Sequence, residues 1–195
     1  MNNILKLIYK YKEDIDLVSY KKDQIIFLEN DLCQKVGIVK SGEISIKSYF
    51  ADGKEVTYNT LKSGDMFGNN LIFSSNPFYR GDVIALENSE IYLVSKESLL
   101  KILKEDEDFL IEYLTAQSDF SKTLNLKIKL LTIQGAEDRA KYYLTINKGQ
   151  IKFKSITKLA QDLYLTRECL SRTLKKLEQK SEIKISHKII SKMVD

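Results

Sequence analysis

The chain has 195 residues, of which 43% are hydrophobic, 30% charged and 10% aromatic, with one proline; that is room for one large domain or two small ones and excludes a disordered, collagen-like or Pro-rich chain. The net charge is a modest +4, so neither a uniformly basic nor a uniformly acidic protein is expected. Cys33 and Cys169 are the only cysteines and His187 the only histidine, which all but excludes a zinc or iron–sulfur site built from thiolates and imidazoles and fits a reducing cytosol better than a disulfide framework.

At the N-terminus, Lys6, Lys10, Lys12 and Glu13 interrupt the apolar positions, so no signal peptide is expected, and no stretch nears the roughly 20 apolar residues that span a bilayer. A soluble, cytoplasmic protein without a membrane partner is the expectation. From about Asp14 to Val94 the chain alternates short apolar runs with turn residues, and six of its eight glycines lie between Gly37 and Gly81. Ile25-Ile26-Phe27, Val36-Gly37-Ile38-Val39, Ile44-Ser45-Ile46-Lys47, Val56-Thr57-Tyr58 and Ile91-Tyr92-Leu93-Val94 are examples of the candidate strands. Regular spacing with Gly and Asp at the corners predicts an antiparallel sandwich or barrel, with Asp52-Gly53 as the strongest hairpin signal.

Helical patterning begins at Ser95, where Ser95-Lys96-Glu97-Ser98 predicts a capped short helix and residues 104–108 an acidic break. A long helix follows, free of Gly and Pro until Gly135, in which Leu110, Leu114, Gln117, Ser121, Leu124, Ile128 and Leu131 step by alternating fours and threes. Such a heptad stripe predicts a dimer seam, the alternative being a helix packed on its own domain. Residues 136–144 predict a further helix with Ala140, Tyr143 and Leu144 on one side, closed by the turn Asn147-Lys148-Gly149-Gln150.

Residues 135–195 hold 14 Lys/Arg and 7 Asp/Glu, net +7, and residues 1–134 hold 17 and 20, net −3. A basic final third on an acidic body suits a nucleic-acid-binding module, or a lysine-rich solvated surface. Here Ser155 can cap a helix with Ile156, Leu159, Ala160 and Leu163 inside, Tyr164-Leu165 makes a turn, and Thr166 can cap a second helix that buries Leu170, Leu174 and Leu177. The second helix carries Arg167, Glu168, Ser171, Arg172 and Lys175 on its other side, which is the layout of a helix-turn-helix; Ile183, Ile185, Ile189 and Ile190 around Ser186-His187-Lys188 predict a two-stranded wing. Arg can hold guanine O6 and N7 and Glu can accept from the amino group of cytosine, so Arg167, Glu168 and Arg172 are candidate base readers; Thr166, Ser171, Lys175 and Lys176 are candidate phosphate contacts. A winged helix used for protein contacts, with an incidentally basic face, is the competing reading.

Gly42-Glu43-Ile44, Asp52-Gly53-Lys54-Glu55 and the run from Leu61 through Lys62-Ser63-Gly64-Asp65-Met66-Phe67 to Gly68, followed by Glu137-Asp138-Arg139-Ala140, Thr166-Arg167-Glu168 and Ser171-Arg172-Thr173-Leu174, stand in an order that resembles the CRP/FNR family of bacterial transcription regulators. The resemblance implies an α+β protein in three parts. These are an antiparallel β-roll (jelly-roll) of the cyclic-nucleotide-binding type over residues 1–106, a dimerisation helix over 107–134, and a winged helix-turn-helix over 135–195. It implies double-stranded DNA, a second copy of the chain and RNA polymerase as partners, and base contacts at Arg167, Glu168 and Arg172, which match members that read TGTGA-type half-sites. The N-terminal cysteine cluster of the family's oxygen sensors is missing, and His187 lies in the wing, away from any haem site in the roll.

For cyclic-AMP binders in this family a Gly-Glu pair opens a phosphate cassette and Arg-Ser or Arg-Thr closes it. Here the opening is Gly68-Asn69-Asn70 and the closing Arg80-Gly81, so the carboxylate that grips the ribose is absent. The helix positions that would meet the purine fall near Leu124-Asn125, with Ser121 one turn earlier. Cyclic AMP binding is therefore expected to be weak or absent, no cofactor is certain, and an unknown effector has its candidate contacts at Gly68, Asn69, Arg80, Gly81, Ser121 and Asn125. Arg80 could instead pair with Asp65 or Asp82. The expected mode of switching runs from the cavity beside Arg80 to the long helix through Gln117, Ser121 and Asn125. Two other functions compete with a regulator. A cupin-type metal enzyme needs clustered histidines and is set aside; a nucleotide-sensing or interaction module that does not touch DNA stays open.

Overall fold

The computed structural model describes residues 3–193. The chain forms two compact units, one up to Phe120 and one from Ser121 onward.

The first unit opens with α1 (Asn3–Ile8) and a 3-10 turn (Tyr9–Tyr11), followed by eight strands: β1 (Asp16–Tyr20), β2 (Ile25–Phe27), β3 (Lys35–Ser41), β4 (Glu43–Tyr49), β5 (Glu55–Lys62), β6 (Met66–Phe67), β7 (Asp82–Ala85) and β8 (Ser89–Ser95). They pair antiparallel in two four-stranded sheets, ordered β1-β8-β3-β6 and β2-β7-β4-β5. The hairpin predicted at Asp52-Gly53 joins β4 to β5, with Tyr49 opposite Glu55 and Phe50 N–H donating to the Lys54 carbonyl at 2.9 Å. Alternation along the strands sends Val36, Ile38, Ile91 and Leu93 of one sheet and Ile44, Leu61 and Val83 of the other into one core. That core is closed by Ile8, by Leu99 and Ile102 of α2 (Lys96–Glu105), and by Phe109 and Tyr113 of α3 (Glu107–Thr132). Ser95 caps α2 by accepting from Ser98 N–H, as its position before the helical pattern predicts.

β1, β6 and β7 are not among the runs named from the sequence. β6 and β7, at two and four residues, carry too little alternation to register, and they are held in place by partners distant in sequence, Gly37 and Ile38 for β6 and β4 for β7.

The second unit contains the end of α3, then α4 (Ala136–Ile146), β9 (Gln150–Lys152), α5 (Ile156–Asp162), α6 (Arg167–Gln179), β10 (Ile183–Ser186) and β11 (Ile189–Lys192). Its core gathers Leu130, Ala140, Leu144, Leu159, Leu163, Leu170, Leu174, Leu177, Ile183 and Ile190. The wing predicted as a two-stranded hairpin is a three-stranded sheet ordered β10-β11-β9, because Ile151 pairs with Ile190 and adds an edge strand. α3 serves both cores: Phe109 and Tyr113 pack into the roll, Leu126 and Leu130 into the winged helix.

Candidate nucleic-acid interface

The recognition segment is built from two short helices that cannot stand alone in water and are fixed by caps and core leucines. Ser155 Oγ accepts from Lys158 N–H at 3.1 Å to start α5, and Thr166 Oγ1 accepts from Cys169 N–H at 3.1 Å to start α6. Between them Tyr164 takes the left-handed conformation, φ 54°, and Leu165 N–H returns to the Ala160 carbonyl at 2.9 Å. α6 turns Leu170, Leu174 and Leu177 into the core. The opposite side exposes Arg167, Glu168, Ser171, Arg172 and Lys175, and Thr166 is exposed at the cap. Among the described residues none of Arg167, Arg172 and Lys175 makes an ion pair.

Lys176, grouped with the phosphate contacts from its sequence position, is engaged differently. The Glu137 carboxylate takes both Lys176 and Lys180, the latter at 3.0 Å, and so buckles the first turn of α4 to the later turns of α6. The two ammonium groups hold the Glu137 carboxyl down at about 2.

A second tie went unnoticed in the sequence. Arg139 of α4 donates to the carbonyls of Leu163 (3.3 Å) and Tyr164 (2.9 Å), where α5 ends, and to that of Ile133 (3.0 Å), where α3 ends. Carbonyls at helix C-termini have no partner in their own helix and carry the negative end of the dipole, so one planar guanidinium satisfies two helix ends at once. Lys127 of α3 adds a cation–π contact, 5.5 Å from the centre of the Tyr164 ring. The Glu-Asp-Arg-Ala run in the sequence marks these positions without showing what they bind.

In the roll the candidate effector residues are placed differently from one another. Asn69 is buried, its carbonyl accepts from the Tyr113 hydroxyl at 2.8 Å and from Gln117 Nε2, and its amide donates to Gln117 Oε1 at 3.3 Å. The loop at the head of the cassette is thus tied to α3 by the chain itself, and Gln117 faces this loop. Arg80 is exposed, flanked by buried Tyr79 and Gly81. Among the described residues it makes no ion pair with Asp65 or Asp82, whose carboxylates accept from Lys62 N–H and Glu29 N–H instead. The side chain filling the interior is that of Tyr79, stacked on Phe27 at 4.7 Å, its hydroxyl donating to the Lys35 carbonyl at 3.0 Å; burial pushes its ionisation well above the usual tyrosine range. Gly68 and Gly81 are backbone requirements: Gly68 has φ +73°, and a Cβ on Gly81 would lie 2.7 Å from the Lys47 carbonyl oxygen. Ser121 and Asn125 are exposed on α3.

Among the described residues no cluster of His, Cys, Asp and Glu could hold a metal, and no helix is long and apolar enough to cross a membrane.

Residues 17–106 match the family model of the cyclic nucleotide-binding domain. The Anaerobic regulatory protein of Bacillus subtilis (strain 168) is 25% identical over 115 residues, 59% of this chain and 48% of that protein, so the chain spans about half the length of this curated relative. A transcriptional regulator from Thermotoga maritima aligns over 64% of this chain and 97% of its own, at 26% identity and a TM-score of 0.60. The catabolite activator protein of Thermus thermophilus, 19% identical with a TM-score of 0.58, shares the fold over 96% of this chain and 90% of its own. The chain thus carries a cyclic nucleotide-binding domain over residues 17–106, within a fold shared over almost its whole length with the Thermus protein.

Proposed function

We propose that the chain is a transcription regulator that acts as a homodimer and reads a pseudo-palindromic DNA operator, one α6 helix in the major groove of each half-site. The observation that carries this reading is the face of α6. Arg167, Glu168, Ser171, Arg172 and Lys175 share the solvent side, opposite the buried leucines, and its cations are unpaired among the described residues. Arg167 and Arg172 are assigned to bidentate contacts with guanine, Glu168 to the amino group of cytosine, and Thr166, Ser171 and Lys175 to phosphates.

Dimerisation is assigned to α3. Leu114, Leu124, Ile128 and Leu131 of the heptad stripe are each about half exposed in the single chain, at 50%, 46%, 53% and 51%. An unpartnered apolar stripe on a helix of 26 residues suits a coiled-coil seam. RNA polymerase is the further partner, and the cytoplasm the working place. The cassette is degenerate: Asn69 replaces a ribose-gripping carboxylate and is already bound to α3, and Arg80 stands outside the buried alternation. An effector other than cyclic AMP is assigned to the roll.

The test is duplex binding. Replacing Arg172 with Ala should cost about 1–3 kcal/mol on a duplex selected from a random pool and relax the preference at one base pair. Equal losses on selected and random duplex would remove Arg172 from base reading. Wild-type affinity that stays level as salt rises would remove DNA as the partner.

A further inference from the structure

Single apolar side chains on a surface need no explanation, but several together on a stiff frame mark a contact. Leu28, Leu32 and Phe78 of the roll form such a group, 48%, 48% and 38% exposed. Leu32 and Phe78 stand opposite each other in an antiparallel bridge, which puts both side chains on one side. Leu28 lies one tight turn earlier, its carbonyl accepting from Asp31 N–H at 3.2 Å, and Asn30 carries the chain round with φ 68°. The frame is bonded along its length. Asn30 N–H donates to the Tyr79 carbonyl at 2.9 Å, Tyr79 N–H to the Asp31 carbonyl at 3.0 Å, and Cys33 N–H to the Pro77 carbonyl at 2.6 Å. A surface fixed in this way loses little freedom when it is covered.

Three carboxylates stand in and beside the same turn, each oriented by a neutral donor. Glu29 Oε2 accepts from Ser48 Oγ at 2.7 Å, Asp31 Oδ2 from Leu28 N–H at 2.9 Å, and Asp82 Oδ1 from Glu29 N–H at 2.7 Å. Neutral donors hold a carboxylate in place and leave its charge standing. Among the described residues none of the three makes an ion pair, and no acidic group is arranged to hold a metal.

The mixture of fixed charge and fixed apolar area narrows the occupant. A wholly apolar partner would strip water from the carboxylates and give nothing back, and a wholly cationic one would leave the leucines and the phenylalanine in water. Nucleic acid and anionic lipid headgroups meet like charge. A second copy docked face to face about a two-fold axis would set carboxylate against carboxylate. We propose that this face of the roll docks a segment of another protein that carries lysine or arginine next to a large apolar side chain. Leu28, Leu32 and Phe78 form the apolar floor, and Glu29, Asp31 and Asp82 take the cations. The inference stands apart from the reading of α6, none of whose residues takes part.

Titration of the full chain against a fluorescein-labelled synthetic peptide, Lys-Leu-Lys-Phe-Lys-Leu-Lys, read by fluorescence anisotropy, tests it. Control peptides with Glu for Lys, or with Ser for Leu and Phe, should bind at least about ten-fold more weakly. Leu32→Ser and Phe78→Ser should each weaken binding of the basic peptide about five-fold, since each removes a side chain that is half open in the free chain. Glu29→Gln and Asp31→Asn keep the acceptors for Ser48 and for Leu28 N–H and remove only charge; each should weaken binding about two- to three-fold and flatten its salt dependence. Tyr49→Ser combined with Phe50→Ser removes a more exposed apolar pair on the β4–β5 hairpin and should leave binding unchanged. The proposal is overturned by a wild type that does not bind the basic peptide, or by a Tyr49, Phe50 variant that loses as much as Leu32→Ser. Sedimentation in which Phe78→Ser breaks up an assembly larger than the dimer assigned to α3 would give the face to a second copy and overturn it as well.

Discussion

The roll and the winged helix treat their polar residues in opposite ways. In the winged helix the polar groups divide by face. Arg139 and Glu137 bind the unit together from within, while Arg167, Glu168, Arg172 and Lys175 are exposed and make no ion pair among the described residues. In the roll, of the residues that sequence position nominates for a ligand, Asn69 is buried and bonded within the unit and Arg80 is exposed. Asn69 is bound to Tyr113 and Gln117, and Arg80 gives the interior to Tyr79. Free side chains on a rigid, capped helix are what recognition of an outside partner needs.

The sharpest way to break this contrast is at Arg139. Replacing it with Ala removes one guanidinium from three main-chain carbonyls at two helix ends. Charged hydrogen bonds of this kind are each worth about 1.5–3 kcal/mol where water cannot replace them; a loss of about 2–3 kcal/mol is expected, confined to the second unit. Hydrogen exchange should show it as faster exchange at Leu170 and Leu174, with the strands of the roll unchanged. Arg139→Lys should recover little, since an ammonium cannot span the three acceptors. Equal loosening of both units would mean that Arg139 is no local tie.

The roll offers the smaller counterpart. Tyr113→Phe deletes the hydroxyl that donates to the Asn69 carbonyl at 2.8 Å and leaves the ring in the core. Gln117 still donates to the same carbonyl, so about 1 kcal/mol is expected from urea denaturation. Exchange should rise at residues 69–72, and duplex affinity should hold within about two-fold. A large fall in duplex affinity would show that the tie of Asn69 to α3 reaches the recognition helices.

How much of this was legible in the sequence follows the same division. α5 and α6 could be read with their caps and faces because each signal is local: Ser155 and Thr166 stand one residue before their helices, and Leu170, Leu174 and Leu177 repeat at helical spacing. The fold class and the β4–β5 hairpin were legible for the same reason. β6, β7 and β9 were not, since these short segments show too little apolar alternation of their own and are held by partners elsewhere in the chain. The ties of Asn69 to Gln117, of Arg139 to Leu163 and of Glu137 to Lys180 are of that second kind, spanning 24 to 48 residues. An Arg in a helical pattern looks like a solvated cation until two helix ends arrive beside it. Arg80, nominated by motif, lies exposed in the bend before β7, between buried Tyr79 and Gly81.

Glu137 tests the internal ties most gently and through pH. Lys176 and Lys180 hold its carboxyl at about 2 in the folded chain, against about 4.3 for an unpaired glutamate. A carboxyl lowered on folding adds stability that is fully present above the unfolded value and is lost as pH falls from there toward 2. The pair is solvent-exposed and screened, so the effect is small. Glu137→Gln should therefore lower the Tm slightly at neutral pH, less in high salt, and the gap to wild type should close as the pH approaches about 2. A gap that stays constant across this range would mean that Glu137 acts through packing and that the carboxylate does not buckle α4 to α6. Freed from Glu137, Lys176 would also join the exposed cations of α6, so the same variant should bind random duplex slightly more tightly and with a steeper salt dependence. Weaker stability together with stronger non-specific binding is the signature of a charge moved from an internal tie to the outer face.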